Sequence, residues 1–243
     1  MTQPQGAALR MAEDVPRPKG SAAEDAALAS GGSKVAVVDD DPGVLRSIAR
    51  LLAIHGYVAR AFSSPESLLA EIASFSPHCV IADLSMPGLT GLELQGKLAE
   101  SDRTYPIIFV TAHGDIRTSV LAMRKGAVDF LTKPFEQAEL LDAVRRAIAR
   151  STRARLQTER LAQVRKRLGS LTGREIEVYR QVVAGLLNKQ IAANLGISEK
   201  TVKVHRARVM RKMGMRSVAQ LARAAVELGG DAWEQPGLGR SII

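Results

Sequence analysis

Four apolar runs in this 243-residue chain end on residues suited to handling phosphate: VAVVDD at Asp39 and Asp40, CVIAD at Asp83, IIFVT at Thr111 and VDFLTK at Lys133. Read as strands of a parallel sheet, the runs open their carboxyl ends onto one crevice, so residues distant in sequence meet in one site. Three carboxylates brought together repel one another unless a cation neutralises them. Mg2+ suits such a place, because it takes hard oxygens from carboxylates, a backbone carbonyl and water. Asp83, alone at its strand end, is the natural nucleophile toward phosphorus and would form an acyl phosphate, with the metal screening the repulsion between anions. Lys133 offers a point charge and Thr111 a hydroxyl donor to the phosphoryl oxygens. Singly, each residue reads as a turn, a cap or a surface lysine; their joint appearance at successive strand ends points to chemistry.

The elements that must hold these residues alternate in type. Strands over 34–39, 57–62, 79–83, 107–111 and 127–132 are separated by amphipathic helical stretches near 43–55, from Ser64-Pro65-Glu66 onward, near 91–100 and near 115–125, and a last helix starts at about Glu136. This is the pattern of βαβ units, so the expected fold is α/β: a doubly wound, five-stranded parallel sheet over 34–150. A charged helical linker is expected over 151–168, with a thin apolar stripe at Leu156, Leu161, Val164 and Leu168.

Beyond it only helices are legible, which predicts a small all-α domain over 169–230. Thr172 with Glu175 makes a capping box, Asn188 is placed to cap a short helix that turns at Gly196, and Ser198 caps the long basic helix EKTVKVHRARVMRKM. Ser217 starts a fourth helix. A short helix, a glycine turn and a basic helix form the helix-turn-helix pattern. At 100° per residue, Lys200, Lys203, Val204, Ala207, Arg208 and Arg211 share one face, while Val202, Val209 and Met213 share the other. The cationic face suits the major groove, with Val204 able to touch a thymine methyl. His205 and Arg206 fall on the flanks, where phosphate contact or packing is expected.

Charge supports the same division. The net charge is +9, yet Arg150 to Arg223 holds 18 Lys/Arg against four glutamates, a net +14 that leaves −5 for the remainder. A basic part that meets a polyanion is thus joined to one that does not. Cys79, the single cysteine, sits in a strand pattern and reads as a small buried hydrophobe, and one cysteine excludes an intrachain disulfide. No run reaches the about 18 apolar residues of a membrane span, and the N-terminus lacks a secretion signal, so no membrane association and a cytoplasmic location are expected. Residues 1–33 read as a disordered tail, and 231–243 as a short tail containing Trp233.

Residues 34–150 resemble a response-regulator receiver domain through VAVVDDD (35–41), IADLSMPGLTGLEL (81–94), VTAHGD (110–115) and GAVDFLTKPF (126–135). That resemblance implies phosphoryl transfer from a sensor histidine kinase to Asp83, and Mg2+ at Asp40 and Asp83 with the Ser85 backbone carbonyl and help from Asp39. It also implies a cis peptide at Lys133-Pro134, and a switch in which Thr111 moves toward the phosphoryl group as Phe130 changes rotamer. Phe130 stands where a tyrosine is the alternative, so a switch that uses a hydroxyl is not available. Residues 168–228 resemble the LuxR-type helix-turn-helix, through LTGREIEVYRQVVAG and NKQIAANLGISEKTVKVHRARVMRKM.

Together the two halves resemble a two-component response regulator of the FixJ/NarL class. This implies a non-enzymatic transcription regulator that dimerises on phosphorylation and binds promoter DNA through Lys200, Lys203, Val204, Arg206, Arg208 and Arg211, with RNA polymerase as a further partner. Ala207 stands where a well-described member carries lysine, so its sequence preference does not transfer. Haloacid-dehalogenase-like phosphatases also use a strand-end Asp, but they need a second Asp two residues on, where this chain has Ser85. A phosphorelay adaptor with nonspecific DNA affinity, or a DNA-binding protein with a vestigial receiver, are the other readings.

Overall fold

Strands β1 (Lys34–Val38), β2 (Val58–Phe62), β3 (Cys79–Ala82), β4 (Ile107–Thr111) and β5 (Asp129–Thr132) form one parallel sheet in the order β2-β1-β3-β4-β5. This computed structural model describes residues 32–101, 103–112 and 116–229. The tail expected over 1–33 lies outside them except for Gly32 and Ser33; the tail over 231–243, with Trp233, lies wholly outside. The chain divides into two compact units, residues up to Ser151 and residues from Thr152 onward.

The central strands are apolar on both sides because helices cover both sides. Ala36, Val38, Val80 and Phe109 point to one core, filled from α2 (Pro65–Phe75), α3 (Gly91–Ala99) and α4 (Ile116–Arg124) by Leu68, Phe75, Leu94, Leu98 and Ala122. Val35, Val37, Ile81 and Ile108 point to the other, filled from α1 (Pro42–Ile54) by Leu45, Ile48 and Leu52 and from α5 (Gln137–Gly169) by Leu140, Val144 and Ile148. Cys79 is fully buried in this second core, and its thiol pKa is pushed far up by that burial.

Local signals set the helix starts. Asp41 accepts from the Gly43 N–H at 2.6 Å ahead of α1, Ser64 accepts from Ser67 ahead of α2, and Thr90 with Glu93 closes a capping box on α3. Gly91, at the first position of α3, lies against the loop that follows β3. A Cβ there would collide with the Asp83 carbonyl oxygen and come within 3.0 Å of the Phe109 ring. Glycine is therefore required by closeness, since backbone cannot move aside as a flexible side chain can.

In the second unit, α6 (Gly173–Val183), α7 (Asn188–Leu195), α8 (Glu199–Met213) and α9 (Val218–Glu227) enclose a core of Val178, Tyr179, Val182, Ile191, Val202, Val209, Met213 and Leu221. The stretch 151–168 is helical as expected, and continuous with the helix that begins at Gln137. It is also more than a solvated connector. Val164 is buried in the second unit's core with Leu161 and Leu168 beside it, and Arg167 donates to the Met213 carbonyl at 3.0 Å.

The cap expected at Asn188 is corrected. Leu187 is the N-cap residue, its N–H donates to the Gln190 side chain at 2.8 Å, and Asn188 is the first residue inside α7. The Asn188 oxygen is turned instead to Arg206, as described below.

Gly91→Ala is expected to destabilise the first unit by about 1–3 kcal/mol through overpacking, read as a lower urea midpoint with an unchanged slope. Gly96→Ala, where a Cβ meets nothing within 4 Å, is the helix control that should not lose stability.

Candidate phosphoacceptor site and nucleic-acid interface

The strand order reverses direction between β1 and β3, and the two strands that flank this switch point end at Asp39 and Asp83. A crevice opens at such a place because the connections on either side leave toward opposite faces of the sheet. The Lys133 ammonium bridges the two acids, 2.7 Å from Asp39 Oδ2 and 3.1 Å from Asp83 Oδ1. Both carboxylates are nearly buried, with Asp39 at 3 % and Asp83 at 7 % exposure. The other Asp83 oxygen accepts the Ser85 N–H at 2.6 Å, and the other Asp39 oxygen accepts the Asp41 N–H at 2.9 Å.

Partial burial by itself would lower the Lys133 pKa. The hydrogen bonds and negative charges of Asp39 and Asp83 outweigh it and hold the pKa above the ordinary lysine value. Lys133 is therefore a fixed cation that compensates two buried anions. The Lys133-Pro134 peptide is cis.

Thr111, at the end of β4, is 1 % exposed, and Phe130 in β5 is half-buried with its ring 6.5 Å from that of Phe109. Asp40, next in the chain to Asp39, is exposed to solvent. Among the described residues no three His, Cys, Asp or Glu side chains converge as a ready-made metal cage. Asp39, Asp83 and Lys133 are thus joined by direct contact; Ser85 joins them through its N–H on Asp83, and Thr111 through its carbonyl, which accepts the Lys133 N–H at 2.8 Å.

In the second unit the periodicity of α8 divides as the sequence predicts. Lys200, Lys203, Val204, Ala207, Arg208 and Arg211 are exposed, and Val202, Val209 and Met213 are buried. His205 and Arg206 are half-buried, and Arg206 Nη1 donates to Asn188 Oδ1 at 2.9 Å, which ties the first turn of α7 to the middle of α8. Part of the Arg206 donor set is thereby used inside the domain.

A second brace was not legible as such. Lys212 reads as one more basic residue of α8, but its ammonium reaches Glu175 at 2.6 Å and the Ser170 carbonyl at 3.0 Å. Glu175 also accepts the Thr172 N–H at 2.9 Å, so the capping box of α6 and the last turn of α8 share one buried carboxylate. The Lys212 hydrogen bond first, and then that of the Thr172 N–H, lower the Glu175 pKa to about 2.

Residues 35–145 match the family described as Response regulator receiver domain, and residues 169–225 match the family described as Bacterial regulatory proteins, luxR family. The response regulator protein TmoT of Ectopseudomonas mendocina is 40% identical over 196 residues, covering 81% of this chain and 89% of its own. The transcriptional regulatory protein FixJ of Rhizobium meliloti is 40% identical over 80% of this chain and 96% of its own. The chain belongs to the two-component response regulators.

Among solved structures, the response regulator StyR superposes on this response regulator with a TM-score of 0.69 at 40% identity, covering 80% of this chain and 98% of its own. Full-length FixJ from B. japonicum gives 0.50 at 36% identity, over 82% and 98%. The receiver and the LuxR-type DNA-binding domain are therefore those of a transcription regulator, and receiver domains generally bind Mg2+ at the phosphorylation site. None of the described helices is long and apolar enough to cross a membrane.

The sign of the acid response follows from Glu175. Its pKa of about 2 in the folded protein lies below the about 4.3 of an unfolded chain. The corresponding stability is present above about pH 4.3 and is lost as the pH falls toward 2. Glu175→Gln is expected to cost on the order of 2 kcal/mol at pH 7 and to flatten the loss of stability between about pH 5 and 2, measured by urea unfolding of the DNA-binding unit across that range.

Proposed function

We propose that this response regulator accepts a phosphoryl group on Asp83 from a sensor histidine kinase and, once phosphorylated, binds promoter DNA as a homodimer. The observation that carries the reading is the direct contact of a buried Asp83 carboxylate with the Lys133 ammonium at a strand-end crevice, in a chain that also exposes a cationic helix face.

In the transfer step, an Asp83 carboxylate oxygen forms the new bond to phosphorus as the P–N bond to the kinase histidine breaks, and the imidazole leaves with its ring nitrogen free to take a proton. Lys133 follows the new charge and holds a phosphoryl oxygen, and the Thr111 hydroxyl donates to another. The Ser85 N–H keeps Asp83 oriented. Asp39, Asp40 and Asp83 with Lys133 leave a net negative charge on hard oxygen donors, which fits Mg2+. Asp39, Asp40, Asp83 and the Ser85 carbonyl would hold that ion, and when bound it supplies charge neutralisation between the two anions. The chain is an acceptor only: it takes the phosphoryl group from a phosphodonor onto its own Asp83 and slowly loses it to water as inorganic phosphate.

The added charge would draw Thr111 inward and let Phe130 repack against Phe109. Support for a second copy as the occupant of the adjoining surface comes from α4, which exposes Ile116 (83 %) with Val120 and Met123 on the same stripe. In the DNA-binding unit, α9 exposes Val226 and is the second candidate contact. Lys200, Lys203, Val204, Arg208 and Arg211 would face the major groove, and Arg206 would offer its remaining donors to phosphate. Contact with RNA polymerase and action in the cytoplasm follow from the same reading.

Incubation with acetyl phosphate and Mg2+ is expected to add one phosphoryl mass to the native protein and none to Asp83→Asn, and to sharpen gel shifts on selected genomic fragments in the native protein alone. Equal shifts for both proteins would overturn the switch. Lys203→Ala and Arg208→Ala are each expected to lower the slope of log K against log salt by about 1 where the side chain meets a phosphate, as fluorescence anisotropy would read.

A further inference from the structure

We propose that Arg167 is a positioning residue for DNA reading, on the footing that α8 enters the groove: from the last turn of α5 its guanidinium fixes the C-terminal end of α8. It lies outside the match to the luxR family, which begins at residue 169.

The last carbonyls of a helix have no partner inside it. At the end of α8 the turn itself serves two of them. Gly214, left-handed at φ +65°, donates its N–H to the Arg211 carbonyl at 3.1 Å, and the Met215 N–H donates to Met210 at 3.0 Å. The Met213 carbonyl is served from α5 instead, by Arg167 Nη1 at 3.0 Å. A cation suits that end, because the helix dipole leaves it partly negative. The guanidinium lies close against the terminal glycine, where a Cβ on Gly214 would come within 2.6 Å of Nη1.

The bond is returned. Lys212, in the last turn of α8, donates to the Ser170 carbonyl at 3.0 Å, one residue past the end of α5. Ser170 in turn donates its N–H and its hydroxyl to the Arg167 carbonyl, at 3.0 and 2.6 Å. Val164, on the preceding turn of α5, is buried in the core on which α8 packs, so the backbone that carries Arg167 is itself anchored. Each helix end thus supplies a cation to a carbonyl at the other.

Val202, Val209 and Met213 hold α8 by apolar contact, which is non-directional and permits small shifts. Directional bonds remove that freedom, with Arg206 on Asn188 at the middle of the helix and the Arg167 and Lys212 pair at its end. From Arg206 to Met213 is about 10 Å along the axis. A stretch of about 0.5 Å takes the Arg167 bond out of hydrogen-bonding range and corresponds to a tilt of about 3°. Side chains that read base edges need placement to about 0.5 Å, which is the accuracy this brace supplies. Phosphate contacts carry no sequence information, so loss of the brace falls on discrimination between sequences.

The test uses full-length protein treated with acetyl phosphate and Mg2+, a duplex selected from random sequence by the native protein, and a scrambled duplex of the same composition, read by fluorescence anisotropy. Arg167→Met keeps the apolar stem and removes the donor. It is expected to lower the ratio of affinities for the selected and scrambled duplexes about tenfold, with the slope of log K against log salt unchanged and the circular dichroism that of the folded protein. Arg167→Lys, which restores a cationic donor, should recover part of the ratio. Arg165→Met removes an exposed charge from the same turn and should leave the ratio as it was. The proposal is overturned if Arg167→Met keeps the native ratio, or if Arg165→Met lowers it as much. It is equally overturned if Arg167→Met weakens binding to both duplexes alike with a slope lowered by about 1, the mark of a lost phosphate contact. A native protein that binds both duplexes alike would instead overturn the groove contact of α8, and the positioning role with it.

Discussion

Removing the Lys133 ammonium would leave Asp39 and Asp83 facing each other across a low-dielectric crevice with no charge between them. Two buried carboxylates cannot both stay ionised at short range without compensation. The rest of the receiver unit is arranged around that constraint. The sheet order brings the ends of β1 and β3 together, β5 delivers the lysine from the far edge, and the loop after β3 turns its Ser85 N–H back onto Asp83. Gly91 allows that loop to sit directly on the first turn of α3. Both acids of the crevice therefore depend on one cation for compensation, and in the proposed function the same cation would meet the phosphoryl group.

Much of this was legible in the sequence because each cue was strong and local. Continuous apolar runs gave the buried parallel strands, and the polar residues at their ends gave the site. The boundaries of β1 to β5 match the expected runs within two residues at each end. The outward and inward sets of α8 followed from periodicity alone, because a helix packed on one side exposes the other. What was not legible were contacts between elements that carry no local pattern. The pairing of Glu175 with Lys212 needs α6 and α8 to be folded against each other, and so does that of Arg206 with Asn188. The cap of α7 failed for a related reason: Gln190 already satisfies the Leu187 N–H from three residues ahead, and the Asn188 oxygen is taken by a distant arginine. The stretch 151–168 looked like a connector because its apolar stripe is thin, yet one buried valine with two flanking leucines is enough to seat it in the second unit's core.

The two units solve the burial of charge in parallel ways. In the receiver unit one lysine is shared by two acids, so the three groups keep a net negative charge. In the DNA-binding unit a lysine meets one acid, and the same carboxylate oxygen also accepts a backbone N–H. The first arrangement would change partners in the proposed phosphoryl transfer; the second holds the start of α6 against the last turn of α8. The same residue types would thus serve exchange in one place and serve rigidity in the other, and the difference lies in how many acids share the lysine.

On α8 the side chains that hold the helix in the domain and those that point outward are separate sets, with Val202, Val209 and Met213 in the first and Lys203, Val204, Ala207 and Arg208 in the second. Substitutions in the outward set leave the domain's core as it was. Under the proposed groove contact, descendants of this regulator would be free to acquire new operator preferences by single codon changes, without a compensating change in the domain's core. Duplicated copies could diverge in the genes they control while keeping one architecture, and the speed of that divergence would be limited by selection on the operators and not by folding.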